Sequence, residues 1–240
     1  MIKKALKKLL PQPVWDLLRY YRYKFLKNGY FALNDLDKKM MKYLDYSNGY
    51  FIELGANDGY TQSNTLALEN KRGWRGVLIE PSPHLFLSCC QFRAKDGNSI
   101  HCCACVPFDY KEKYVDIEYA NLMSVSSSLS TDIDDLKSFK RSGKAFLNKF
   151  SRELSFGAKA MTLTSVLDES KSPDKIDFMS LDVEGAELAV LSGLDFTKYK
   201  IKYILVECRD FERLDIFLKQ FGYKFIEKLS HHDYLFEREM

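Results

Sequence analysis

In Phe51-Ile52-Glu53-Leu54-Gly55-Ala56-Asn57-Asp58-Gly59 an apolar run passes through an acid into a turn with two glycines. The run is rich in strand formers, and Gly55 and Gly59 permit backbone angles and close approaches that a Cβ would forbid. A ligand could therefore lie against bare backbone. A second apolar run, Gly76-Val77-Leu78-Ile79, closes on Glu80 and Pro81, twenty-one residues past Gly59. In nucleotide-binding α/β folds, an acid about 20 positions beyond the glycine turn accepts hydrogen bonds from ribose hydroxyls. Two later apolar runs end at Asp182 and Glu207, so four strands are expected to carry acids (Glu53, Glu80, Asp182, Glu207) to one edge of a sheet.

The glycine spacing selects among ligands. A dinucleotide site calls for G-x-G-x-x-G to seat a pyrophosphate on a helix N-terminus, whereas this chain offers G-x-x-x-G, filled by Ala56, Asn57 and Asp58. Glu53 and Asp58 would repel a pyrophosphate, but they suit the ammonium, ribose and sulfonium groups of S-adenosyl-L-methionine. A nicotinamide-dependent oxidoreductase is the disfavoured alternative, and a non-catalytic module that binds the same methyl donor is a third. Taken alone, the glycine loop could also be an ordinary β-to-α turn; Glu80 at its spacing favours the site.

Methyl transfer needs alignment of acceptor, methyl and sulfur, together with a base if the acceptor is a hydroxyl. Glu184, two residues past Asp182, is the first candidate, with His84, His101, His231 and His232 as competitors. Glu184 could equally be a carboxylate that complements a helix macrodipole. A divalent ion on Asp182, Glu184 and Glu207 is a variant that the sequence neither requires nor excludes. A zinc site from His101, Cys102, Cys103 and Cys105 is disfavoured, because the run reads like a strand. The six cysteines, two pairs of them adjacent, do not form a secreted-type disulfide framework and are expected to be reduced.

The elements that must position these residues follow from periodicity and turn signals. Strands are expected at 50–54, 76–80, 99–106, 175–182, 201–207, 223–228 and 233–237, with helices at 35–46, 61–70, 83–94, 163–169, 183–194 and 211–221. A β-like run at 113–119, a Ser-rich stretch at 121–130 and a helix-like stretch at 132–150 belong to an insertion. Repeated β-to-α units ending in a hairpin imply an α/β fold: a Rossmann-like, mostly parallel seven-stranded sheet with a C-terminal antiparallel hairpin strand and helices on both faces.

With 240 residues, 46% of them hydrophobic, the chain suits one large domain, 35–240, with an insertion at about 107–160 that helps form the acceptor pocket, after a basic arm at 1–34. Residues 1–28 hold eight Lys or Arg against Asp16 alone, while the whole chain has a formal charge of +3, so the body is net acidic. No nucleic-acid substrate is expected. No apolar run reaches the roughly 20 residues of a spanning helix, and Pro11 and Pro13 break the N-terminus before a signal-peptide core can form. A cytoplasmic protein is expected. Lysines interleaved with apolar residues could lay residues 1–28 on an anionic membrane as a peripheral contact, or the segment could be a solvated arm or a packing helix. The oligomeric state is open.

With these residues laid out, the chain resembles the FkbM family of S-adenosylmethionine-dependent methyltransferases, through FIELGANDGYTQSNT, GVLIEPSP, DFMSLDVEGAELAVLSGLDF and ILVE, over about residues 49–237. The resemblance implies methyl transfer, typically to oxygen, with a sugar, glycan or related small molecule as acceptor. It places Glu53, Gly55, Asn57, Gly59 and Ser63 around the methionine part of the donor, Glu80 on the ribose and Asp182 beside the sulfonium. Thr164, where such proteins often have Asp, and the cysteines of HCCACV depart from the family pattern.

Overall fold

A computed structural model describes residues 12–26, 28–94, 97–119, 125–126 and 154–239. Seven strands form the main sheet: β1 (Tyr50–Leu54), β2 (Arg75–Ile79), β3 (Ser99–His101), β8 (Lys175–Leu181), β9 (Lys200–Glu207), β10 (Tyr223–Lys228) and β11 (Asp233–Arg238). Their spatial order is β10-β11-β9-β8-β1-β2-β3. The pairings from β3 across to β9 are parallel, and β11 runs antiparallel to both β9 and β10. The order reverses between β1 and β8, so a crevice opens there at the carboxyl edge.

The central strands are apolar on both faces, as a covered parallel sheet requires. Ile52, Leu54, Val77, Ile79, Met179 and Leu181 pack on one face beneath α5 (Leu163–Glu169), α6 (Glu187–Leu191) and α7 (Phe211–Lys219). Phe51, Leu78, Phe178 and Leu205 pack on the other with Met40 of α2 (Leu36–Met40), Leu68 of α3 (Leu66–Arg72) and Cys89 of α4 (Pro83–Arg93).

The single strand expected at 99–106 is two. After His101 the chain leaves β2, and β4 (Ala104–Val106) pairs with β7 (Leu154–Thr162) in a second sheet. That sheet has the order β4-β7-β5-β6, with β5 (Tyr114–Tyr119) and β6 (Val125–Ser126). A continuous strand-like run carries no mark of the point where its pairing partner changes. The helix-like stretch at 132–150 and most of the Ser-rich stretch lie outside the described residues.

Two helices start later than expected, at Leu66 rather than 61 and at Glu187 rather than 183. Asn57, Gln62 and Glu184 take positive φ in the loops ahead of them, and helices cannot pass through such residues. The expected helix at 35–46 is confined to Leu36–Met40. In its first turn, buried Asp37 accepts hydrogen bonds from the amides of Phe31 and Ala32, which are themselves in the core. Helix α1 (Gln12–Leu26) docks on this segment through Tyr20, whose ring lies 5.1 Å from Phe92 and 5.8 Å from Tyr60. Among the described residues no helix is long and apolar enough to cross a membrane.

Candidate active site

Strand register builds the site. Leu54 pairs with Ile79 on one side and Leu181 on the other, and Leu181 pairs with Val206. The next residue of each strand therefore falls in one row along the carboxyl edge: Gly55, Glu80, Asp182 and Glu207. Glu53 is not in this row, contrary to expectation. It lies one residue back, opposite Leu78 and Ser180, so its side chain points into the sheet's covered face.

There the Glu53 carboxylate, sealed from solvent, accepts hydrogen bonds from Ser63 Oγ, the Asn64 amide and Thr65 Oγ1, and pairs with Arg93 Nη1 at 3.2 Å. Arg93, fully buried on α4, also reaches Glu69 at 2.8 Å and the Gly59 carbonyl at 2.9 Å. A Cβ on Gly59 would stand 2.8 Å from Arg93 Cγ, so this glycine admits the arginine. Asp58, half-buried, serves its own turn, accepting from the amides of Tyr60 and Thr61 and from the Thr61 hydroxyl. Glu53, Asp58 and Ser63 thus hold the loop that the ligand would meet.

Gly55 does the opposite work at the crevice. Its φ is +78°, and a Cβ there would collide with the carbonyl oxygen of Asp182, so the loops after β1 and β8 meet only because it is glycine. Beside this contact lies a cavity of about 460 Å³, within the range of small-molecule sites. Of the residues singled out in the sequence, Gly55, Asn57, Glu80, Pro81, Asp182 and Glu184 line it; Glu53, Ala56, Asp58, Gly59 and Ser63 stand behind the wall. The opposite side comes from Cys103, Ala104, Cys105 and Ile117 at the second sheet, and from Ser230 to Asp233 at the hairpin turn.

The walls are rich in acids. Glu80, Asp182, Glu184, Glu207 and Asp233 face Arg209 and the two hairpin histidines. Burial pushes the Glu80 carboxyl up to about 7, although it accepts hydrogen bonds from the amides of Asn57 and Ser82, each at 2.9 Å. Asp182 is held well above the usual carboxylate range by burial and then by Glu207 and Glu184. Burial, followed by Glu207, raises Glu184 to about 8, and the Arg209 guanidinium, 3.5 Å away, acts against that rise.

Glu184 is not in a helix. It sits in the β8–α6 turn at φ 56°, a conformation that costs a non-glycine residue about 1–2 kcal/mol. Glu187 supplies the helix N-terminal carboxylate instead: buried, it accepts from the amides of Val183 and Gly185. Of the four candidate histidines, His231 and His232 reach the cavity, whereas His84 bonds to Ser82 and His101 to Ser170. Burial lowers His232, favouring the neutral imidazole.

A residue the sequence reading passed over is Asn64. Its Nδ2 donates to Ser180 Oγ, while Oδ1, buried at the cavity wall, has no hydrogen-bond partner in the structure. An unsatisfied buried acceptor costs about 1–3 kcal/mol unless a donor arrives. An ammonium would satisfy it. Together with Glu80 for a ribose diol and the acidic row for a sulfonium, the residues present fit S-adenosyl-L-methionine. Among the described residues no group of three or more His, Cys, Asp or Glu side chains is disposed to hold a metal ion. Cys103 and Cys105 are instead buried in the core, and Thr164 bonds to the Gly193 carbonyl and the Asp195 amide, away from the cavity.

A parallel sheet in this order, with a glycine turn after its first strand and an acid after its second, is the frame of an α/β protein that binds a nucleotide-derived cofactor. Residues 53–225 match the methyltransferase FkbM domain, and the chain belongs to that family. The nicotinamide reading is thereby set aside. Structural resemblances are distant: human methyltransferase 10 domain containing protein (10% identity, TM-score 0.45, 92% of each chain) and the precorrin-6y C5,15-methyltransferase of Geobacter metallireducens GS-15 (10%, 0.43, 83% of this chain and 85% of that one). A methyltransferase from Pyrococcus furiosus is similar at 10% identity and TM-score 0.42, over 95% of this chain and 98% of that one. No curated protein matches the chain.

Proposed function

We propose that this methyltransferase transfers the methyl group of S-adenosyl-L-methionine to a hydroxyl oxygen, on a sugar, glycan or related small molecule. The observation that carries the choice of oxygen is Glu184, a carboxylate held in a strained turn at the cavity wall with its proton affinity raised to about 8. A general base works best with a pKa near the operating pH, and an oxygen acceptor needs one where a more acidic or already nucleophilic acceptor does not.

The donor, when bound, supplies an electrophilic methyl on sulfur. Glu80 accepts hydrogen bonds from the ribose diol, Asn64 Oδ1 accepts from the ammonium, and Asn57 and Gly55 offer backbone that side chains do not obstruct. Asp182 and Glu207 place negative charge beside a cation. Arg209 balances the ionised Glu184 carboxylate until that carboxylate takes the acceptor's proton. The second sheet and the hairpin turn supply the remaining walls, where acceptor selectivity is built.

Incubating the purified protein and labelled donor with fractionated cell extracts tests this reading. Label on oxygen in a hydroxylated fraction is the expected result. Label on nitrogen or carbon removes the assignment of oxygen, and tight donor binding without turnover on any fraction leaves a binding module.

A further inference from the structure

Helix α1 has two different faces. Tyr20 anchors one on Phe31, Tyr60 and Phe92. On the other, Val14, Leu17, Leu18, Tyr21 and Phe25 are all exposed, from 42% to 73% of their surface, with Phe25 the most open. Their spacing of three, four and seven residues puts the five on one stripe. Tyr21 and Phe25 stack on each other along it, and exposed Arg22 lies beside them. Scattered apolar residues on a surface need no explanation, but five in register on one helix do.

The charge of the segment names what covers the stripe. Residues 1–28 carry eight Lys or Arg and a single Asp, whereas the rest of the chain is net acidic. A second copy docked stripe to stripe would bring two such cationic segments together, since a two-fold interface juxtaposes the same patch. An anionic bilayer instead attracts the cations and takes up the apolar residues at its headgroup boundary, where Arg and Lys stems can reach up to phosphates.

We infer that α1 seats this enzyme on an anionic membrane surface, with the Val14–Phe25 stripe in the interface and the Tyr20 face holding the catalytic body. The body is tied in close to the site. Phe31 and Tyr60, on which Tyr20 packs, lie one to three residues in sequence from Leu33, Asn34, Thr61 and Gln62 of the cavity wall.

Sedimentation of the full chain with vesicles tests this. Binding to phosphatidylcholine vesicles containing phosphatidylglycerol is expected to exceed binding to phosphatidylcholine alone by about tenfold or more, and to weaken as salt is raised. The variant Leu17→Ser/Leu18→Ser/Phe25→Ser is expected to lose about tenfold in vesicle binding while keeping its melting temperature and donor affinity. Phe25→Ser alone, at the most exposed position, is the milder variant if the triple one folds poorly. The inference is overturned if the native chain stays in the supernatant with anionic vesicles, or if both stripe variants sediment like the native chain. It is equally overturned if light scattering shows a dimer that the stripe substitutions dissociate.

Discussion

Arg93 and Glu53 form an ion pair, 3.2 Å apart and almost sealed from water, underneath the loop that faces the ligand. The pair does not touch the cavity. It fixes Ser63, Thr65 and the Gly59 carbonyl around itself, and so sets the path of residues 59–65. Removing one member of a buried pair strands the other and costs about 3–5 kcal/mol. Arg93→Met should therefore destabilise the protein by that amount in denaturant unfolding, and adding Glu53→Gln should recover part of the loss. A double variant no more stable than Arg93→Met would show that Glu69, the other carboxylate on Arg93, carries the coupling.

Glu80 accepts two backbone hydrogen bonds and still presents its carboxylate to the cavity. Glu80→Gln should weaken donor binding by about 1–3 kcal/mol, the cost of a lost charged hydrogen bond to the diol. The sign with pH follows from burial. The carboxyl is raised to about 7, and the ionised form is the acceptor, so donor affinity should fall as pH drops through 7. Calorimetric titration from pH 5.5 to 8.5 reads both effects. An affinity equal to native in Glu80→Gln would take Glu80 off the ribose.

How much of this site was legible depended on the range of the forces that make it. The strand–glycine–strand frame, Glu80 and Asp182 follow from patterns a few residues long, because a strand's end and its next residue are locally encoded. Glu53 was misplaced on the rim because its partner, Arg93, is 40 residues downstream, and only that pairing explains a buried acid inside a strand. Asn64, Arg209 and the hairpin histidines reach the cavity through long-range packing, which leaves no periodic trace. The break between β3 and β4 was hidden for the same reason: SIHCCACV reads as one continuous strand-like run, and pairing partners decide where one sheet ends.

Asp182, Glu184 and Glu207 crowd one side of the cavity, and burial and mutual repulsion keep Asp182 and Glu184 protonated above the usual range. A bound cation offsets that repulsion and lowers both. Donor binding should therefore release protons near pH 7–8, and its observed enthalpy should change with the ionisation enthalpy of the buffer. S-adenosylhomocysteine, which lacks the sulfonium charge, should release fewer. Equal release by both ligands would place the cationic centre away from these acids.

Glu184 separates binding from chemistry. Its carboxylate lies at the cavity wall beside Arg209, off the row that ends the strands. Glu184→Gln should leave donor affinity within about threefold of native while slowing turnover by roughly 10²–10⁴-fold, the range for loss of a general base. In the native enzyme kcat/KM for the donor, which reports the free enzyme, should rise with pH through about 8 as the carboxyl ionises, and in the variant that limb should vanish. Stability carries an independent signature. A carboxyl raised on folding contributes stability that is complete below its unfolded value, about 4.3, and is lost as pH climbs through 8. The native protein should therefore lose melting temperature between about pH 5 and 8 and level off above that, and Glu184→Gln should lose less. If the rate limb survives the substitution while the stability curve flattens, the strained carboxyl is a structural acid, and His232, neutral and at the same cavity, becomes the base to replace next.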